Sequence, residues 1–215
     1  MMTISLSDAG KRFNRDWIFR HLNYKFEAGQ SYAITGPNGS GKSTLLQALS
    51  GAMMLNEGKI EFRVVSQESG VGNTSIISTE QIYQYVSIAA PYLEVVEEMT
   101  LKEFLEFHRG FKPFLEGITS DSIISTLGLE KAINKQIRYY SSGMKQRVKL
   151  AQCIFSDSTI VLLDEPCTNL DTEGIKLYNR LINDYCNDRL VVVSSNDEVE
   201  YKFCRQVLSI GDYKK

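Results

Sequence analysis

An α/β fold with a parallel sheet at its centre is what this sequence predicts, and three observations predict it. A glycine-rich loop, Gly36-Pro-Asn-Gly-Ser-Gly-Lys-Ser-Thr44, joins a short apolar run at Ser31 to Thr35 to a helical pattern from Thr44 to Ser50. A second run, Thr159-Ile-Val-Leu-Leu163, is apolar at successive positions, as a strand buried on both faces of a parallel sheet must be. It ends on two carboxylates, Asp164 and Glu165. Between these runs, from Thr100 to about Gly128, the apolar period becomes that of a helix, so a helical subdomain interrupts the β/α alternation.

Taken in order, Thr3 to Leu6 and Leu22 to Phe26 alternate and read as short antiparallel strands, and Ala28-Gly29 turns the chain into the strand Ser31 to Thr35. Leu45, Leu46, Ala48 and Leu49 give the next helix its apolar side, and Gly51 closes it. Gly58 to Phe62 is a further strand. Residues 66–79, rich in Ser, Gly, Asn and Thr, read as a polar turn region, and Tyr83 to Ala90 as a strand that ends before Pro91. Leu101, Phe104, Leu105, Phe107 and Phe111 fall on or near one helical face, and Ile123, Ile124, Leu127 and Leu129 make a second helix. Ser142 to Phe155 reads as a helix capped by Ser142, with Met144, Val148, Ala151 and Phe155 along one side. A helix and the strand Leu190 to Ser194 follow the acidic pair. One domain is expected: residues 1–90 and 142–215 form the core with an N-terminal antiparallel β subdomain, and about 91–141 the α-helical subdomain.

Composition narrows the class. The chain has 215 residues, 43% hydrophobic and 23% charged, with a net charge of −2, which gives no basic surface for nucleic acid. No apolar run approaches the ~18 to 20 residues of a membrane span, and the N-terminus lacks the pattern of a signal peptide. Cys153, Cys167, Cys186 and Cys204 form no C-x-x-C pair, so buried reduced thiols are expected rather than a zinc site or disulfides.

The glycine-rich loop fits G-x-x-x-x-G-K-[ST], a phosphate-binding pattern. Gly36, Gly39 and Gly41 let backbone N–H groups approach phosphate oxygens. Lys42 brings a positive charge to the β- and γ-phosphates, and Ser43 offers a hydroxyl to Mg²⁺. Asn38, Ser40 and Thr44 complete the nucleotide-binding loop, which opens a helix whose dipole favours an anion. Asp164, at the carboxyl end of its strand, is placed to hold Mg²⁺ through water, and Glu165 to orient or deprotonate the attacking water. The basic first turn of the helix after Tyr140 is unfavourable for the helix itself and hints at an anion nearby.

In the order Gly36 to Thr44, Tyr140-Ser-Ser-Gly-Met-Lys-Gln-Arg147, Ile160 to Pro166 and Asn169-Leu-Asp171, the chain resembles the ATP-binding subunits of ABC transporters over nearly its whole length. Ser141 takes the signature serine position and Gly143 its second glycine. Ser142 replaces the first glycine and Met144 the glutamine, a form similar to the exporter-like ABC-2 group. The resemblance implies a P-loop NTPase core, ATP and Mg²⁺ as ligands, and a head-to-tail dimer with a second copy or a paralogue. Ser141 and Gly143 would then meet the γ-phosphate bound across the interface, and Asp171 would occupy the D-loop position between the two sites. Phe13 matches the aromatic that stacks on adenine, with Trp17 as the runner-up. A separate transmembrane permease is implied, which places the chain on the cytoplasmic face of a membrane. Its docking face would be the helical subdomain and the loop from Tyr92 to Thr100, where Glu97 and Glu98 could meet basic residues.

Two positions depart from the family pattern. No glutamine precedes the helical subdomain; its position falls near Ala90 or Pro91. Asn196 stands where the family carries a switch histidine after the last core strand. Neither His21 nor His108 replaces it by position, and His108 reads as a surface helix residue. Asn196 can donate a hydrogen bond to a γ-phosphate but cannot shuttle a proton. Two alternatives to a transport ATPase stay open on sequence: a soluble ABC-type ATPase, and a nucleotide-binding regulatory subunit with weak hydrolysis.

Overall fold

The computed structural model describes residues 2–66 and 73–214. Its first sheet is antiparallel. Strands β1 (Met2–Phe13) and β2 (Asp16–Phe26) form a hairpin, and β4 (Glu57–Ser66) and β5 (Asn73–Ile77) extend it in the order β2-β1-β4-β5. β1 and β2 are much longer than the alternating stretches in the sequence suggest. Register shifts in β1 between Leu6 and Arg12 break the alternation without breaking the pairing. Opposite this irregularity Gly58 has a φ of 70°, and a Cβ there would lie 2.1 Å from Asp8 O, so only glycine lets the two backbones pass. β5 corrects the turn expected over 66–79. Asn73 to Ile77 pairs with β4 at an edge of the sheet; residues 67–72 lie outside the described part.

The second sheet is parallel. It comprises β3 (Ser31–Thr35), β6 (Val86–Ala89), β7 (Ile160–Asp164), β8 (Leu190–Ser194) and β9 (Gln206–Ser209), in the order β6-β7-β8-β3-β9. The strand expected from Tyr83 shrinks to β6, because Ile82–Gln84 forms a turn of 3-10 helix first. The unbroken apolar runs of β7 and β8 are explained by two separate cores. Ile160, Leu162, Leu190 and Val192 join helix α1 (Lys42–Leu49) and the antiparallel sheet, whereas Val161, Leu163, Val191 and Val193 join the helical side. Asp164 continues the parity of Ile160 and Leu162 and so lies on the α1 face.

The helical side contains α2 (Leu101–Phe111), α3 (Ser120–Leu127), α4 (Ser142–Ile154), α5 (Thr172–Tyr185) and the short α6 (Glu198–Tyr201). Thr100 and Glu103 form a capping box on α2, and Gly128, at φ 67°, ends α3. Ser141, rather than Ser142, caps α4: its hydroxyl accepts from Met144 N at 3.3 Å, and Ser142 is the first helical residue. On α2 the aromatic stripe divides. Leu101, Phe104 and Leu105 are buried, but Phe107 and Phe111 are 47% and 77% exposed and stack edge-on at 5.0 Å. At about 100° per residue, the inward stripe continues through part-buried His108 instead, and part-buried Lys112 follows in extended backbone just past the helix end. All four cysteines are free thiols, and burial pushes Cys153 up to about 11 and Cys186 to about 12.

Candidate functional site

Three strands deliver the site. β3 leads into the glycine-rich loop, β7 ends at Asp164, and β8, paired to both, ends just before Asn196. Gly36, Gly39 and Gly41 have φ values of 146°, 76° and 105°, so all three glycines occupy backbone conformations that other residues rarely adopt. Gly41 also packs tightly: a Cβ there would lie 2.1 Å from Ile18 Cγ2 on β2. Lys42 is 5% exposed, and its ammonium lies inside the loop, donating to Gly36 O at 2.8 Å.

Asn196 spans the mouth of the loop. Its Oδ1 accepts from Gly36 N at 3.1 Å, and its Nδ2 donates to Asn38 Oδ1 at 3.2 Å. A polar amide therefore occupies both the donor and the acceptor that the loop presents here. β8 sets this position, since Ser195 N donates to Ile34 O at 3.1 Å.

Asp164 is 2% exposed, and its Oδ1 has no hydrogen-bond partner among the described residues; Ser40 Oγ and Ser194 Oγ share that condition. A buried carboxylate oxygen left unpaired is costly unless something else satisfies it. A carboxylate oxygen of this kind, with Ser194 paired beside it on β8, suits a hard divalent cation. Glu165 is half-buried at φ 44°, a strained position for a non-glycine residue, and its N–H donates to Ser194 O at 2.9 Å.

Two residues that sequence reasoning missed support the turn after Glu165. Buried Gln146 of α4 donates to Pro166 O at 2.8 Å, and Glu200 Oε1 accepts from Cys167 N at 2.7 Å. Burial raises the Glu200 carboxyl, with Asp197 and Glu165 adding to the effect against the bonds from Ser195 and Cys167. Only the basic helix turn after Tyr140 hinted at Gln146, and nothing in the local sequence singled out Glu200. A third residue, Tyr92, follows the positions where a glutamine is absent. Burial raises its phenol, the Gln47 side chain on α1 lowers it, and the Asp164 carboxylate raises it further. Neither Ala90 nor Pro91 brings a polar group to the site: Ala90 is a buried methyl, and Pro91 is exposed.

Ser141, Gly143 and Asp171 gather elsewhere, around a cavity of about 420 Å³ lined also by Lys131 and Arg147. Gly143 lets Asn169 O approach to 2.9 Å of where its Cβ would stand. Asp171 caps α5, accepting from Gly174 N at 2.7 Å, and pairs with Arg147 at 3.3 Å. The bond from Gly174 and then Arg147 hold its carboxyl below the usual range. No residue of the Gly36–Thr44 loop lines this cavity. Phe13 lies at the end of β1, 47% exposed, with Lys11 Nζ 5.3 Å from its ring centroid. Trp17, by contrast, already packs against the guanidinium groups of Arg12 and Arg20, at 5.4 and 4.5 Å.

The acidic pair of the 92–100 loop is engaged within the chain. Glu97 pairs with Lys145 at 2.5 Å and Glu98 with Arg138 at 3.2 Å, and the Glu98 side chain remains largely exposed. His108 is not a simple surface residue either: it is part-buried against Phe104 and Phe114. Among the described residues no helix is long and apolar enough to cross a membrane.

The sequence profile of the ABC transporter family matches residues 19–168. The chain is 29% identical over 200 residues to the uncharacterized ABC transporter ATP-binding protein YybJ of Bacillus subtilis, covering 90% of this chain and 85% of that protein. It is 27% identical over 202 residues to YhcH of the same organism, another uncharacterized ABC transporter ATP-binding protein, covering 90% of this chain but 61% of YhcH. The fold matches the dimeric structure of MJ0796, a bacterial ABC transporter cassette, with a TM-score of 0.74 at 21% identity, over 97% of this chain and 95% of that one.

Proposed function

The chain belongs to the ABC transporter family, and from that premise we propose that it is the ATP-binding and ATP-hydrolysing subunit that energises transport through a separate membrane permease. One observation carries the reading. The phosphate loop, Asp164, Glu165 and Asn196 meet at the carboxyl ends of adjacent parallel strands, where open α/β sheets bind ligands.

The loop N–H groups, opened by the three positive-φ glycines, cradle the phosphates, and Lys42 places its charge among them. Ser43 and Asp164 are the residues that would hold Mg²⁺, and the unpartnered Asp164 oxygen supports that assignment. The ion would offset phosphate charge. Glu165 orients the attacking water and accepts its proton. Asn196 turns its Nδ2 from Asn38 to the γ-phosphate, as a hydrogen-bond donor only. Thr44, Ser40, Gly39 and Asn38 complete the nucleotide contacts. Phe13 stacks on adenine; its exposed ring, set against the engaged Trp17, favours it over the runner-up.

Ser141, Gly143 and Asp171 serve a second subunit. Their distance from this chain's own loop in the fold, around a separate cavity, supports a head-to-tail dimer with a second copy or paralogue in which each site is completed by the other chain. The same reading assigns 1–90 and 142–215 to the core and about 91–141 to a helical subdomain that faces the permease on the cytoplasmic side of the membrane. Asn196 favours a second reading of the rate: without a proton-shuttling imidazole, hydrolysis is slow or leans on Glu165 and the partner signature. Phosphate release from Glu165→Gln tests the mechanism. It should fall about 10²-fold or more, with ATP binding retained and dimerisation promoted. Hydrolysis at the normal rate would remove Glu165 from the role of base.

A further inference from the structure

Three consecutive residues just past the end of β7 are each held by a different element. Glu165 N donates to Ser194 O on β8 at 2.9 Å, Pro166 O accepts from Gln146 Nε2 on α4 at 2.8 Å, and Cys167 N donates to Glu200 Oε1 on α6 at 2.7 Å. The turn closes on itself through Thr168 N, which donates to Glu165 O at 3.1 Å. Such bracing answers a local strain. Glu165 sits at φ 44°, and a non-glycine residue stays there only when its surroundings over-determine it.

Glu200 is the least expected of the three braces. It is 5% exposed, and among the described residues no lysine or arginine pairs with it. A buried carboxylate without a cation is costly, and hydrogen bonds to its oxygens are what offset that cost. An apolar residue would fill the space more cheaply if filling it were all that mattered. The acceptor aimed at Cys167 N is therefore the feature that needs a reason. The short helix that carries it is anchored. Asp197 caps α6, accepting from Val199 N at 3.0 Å, and Glu200 O accepts from the buried Tyr178 hydroxyl of α5 at 2.8 Å. The same segment begins with Asn196, which spans the mouth of the phosphate loop. One anchored piece of chain thus touches both the phosphate loop and the turn of the acidic pair.

We propose that Glu200 is a positioning residue for hydrolysis: through Cys167 N it fixes the turn that aims the Glu165 carboxylate, and it ties that aim to the segment by which Asn196 meets the phosphate loop. The inference rests on the assignment of Glu165 as the base. Glu200 acts as a hydrogen-bond acceptor of fixed length. A misplacement of about 1 Å at the reacting groups is enough for a large loss of rate.

The test uses the purified chain together with the subunit that completes its site, a second copy or a paralogue. Single-turnover phosphate release reads the chemical step, and calorimetric titration with Mg-ATP reads affinity. Glu200→Met keeps the bulk of the side chain and removes the acceptor. It should lower the rate about tenfold or more, with ATP affinity within about threefold of wild type. Glu200→Gln keeps an oxygen for Cys167 N and should hold the rate within about threefold of wild type. In a Glu165→Gln background, where the base is already gone, Glu200→Met should change the residual rate by less than about twofold, because both act through one group. An independent loss of about tenfold in that background overturns the proposal, since Glu200 would then act without Glu165. A wild-type rate in Glu200→Met overturns it too. So does an equal loss in Glu200→Met and Glu200→Gln, which would make the charge matter rather than the bond. A parallel fall in rate and ATP affinity, or loss of the folded chain, would leave Glu200 a structural residue only and likewise overturn it. A normal rate in Glu165→Gln alone removes the base assignment and this inference with it, a failure visible without any change at Glu200.

Discussion

Replacing Gly41 by alanine perturbs the phosphate loop at its most constrained point. Gly41 has a φ of 105°, and the new Cβ would stand 2.1 Å from Ile18 Cγ2 and 3.6 Å from Ile210 Cδ1. The backbone term alone costs about 1–3 kcal/mol for a non-glycine residue. The overlap adds to it, because carbon atoms prefer about 3.5–4.0 Å and the contact falls far short. Ile18 is β-branched and stiff at χ1, so it cannot swing aside; the loop or β2 must shift, at a further ~1–3 kcal/mol. Strain of about 2 kcal/mol or more, released by distorting the loop away from its phosphate-binding shape, corresponds to a loss of about thirtyfold or more in affinity. Calorimetric titration of the purified chain with Mg-ATP measures it, with thermal melting as the check on folding. Gly41→Ala combined with Ile18→Ala should recover the overlap share but not the backbone share. If Gly41→Ala binds ATP within threefold of wild type, the loop is not held by Ile18 in the way described.

Asn196→His should lower turnover, since the two imidazole nitrogens diverge across the ring and do not superpose on the amide oxygen and nitrogen that meet Gly36 N–H and Asn38 Oδ1; a faster enzyme would mean that Asn196 is only a degraded histidine. Arg189→Met removes a buried guanidinium that bonds Ile154 O, Ser156 O and Ser158 O, each at 2.6 Å. Three orphaned carbonyls at about 1 kcal/mol each, at roughly 2–4 °C per kcal/mol in a chain of this size, should lower Tm by about 6–12 °C, and a scanning-calorimetry shift under about 2 °C would refute the clamp. His108 is held neutral, mainly by burial, with its pKa below 6.5. The unfolded chain therefore binds more protons as pH falls below 6.5, and stability is lost on acidification until the folded-state pKa is passed. Denaturant melts of His108→Gln should vary less than wild type between about pH 7.5 and 5.5. Tyr92→Phe removes the hydroxyl beside Gln47 and should lower Mg²⁺ dependence of hydrolysis more than ATP affinity; equal effects on both would leave Tyr92 a packing residue.

The sequence by itself determined the elements whose cause is local. Three glycines at fixed spacing specify a loop of positive φ wherever the chain goes. An unbroken apolar run specifies a strand with both faces covered, and β7 meets that demand by splitting its side chains between two cores. The ends of β3 and β8 were readable for the same reason. The tertiary structure alone decided which side of an amphipathic helix counts as inside. On α2, Phe107 and Phe111 fit the apolar periodicity, yet the neighbours α4 and β6 lie on the side of His108 and Lys112, where carbonyls and hydroxyls bind them. It also decided the partners of groups far apart in the chain: Asn196 with Gly36, Ile18 under Gly41, Glu97 with Lys145, Arg189 around the end of α4. Spacing encodes which residues share a face, because helix and strand periods are fixed by the backbone. What a face meets depends on contacts between distant segments, whose free energy exists only once the chain has folded.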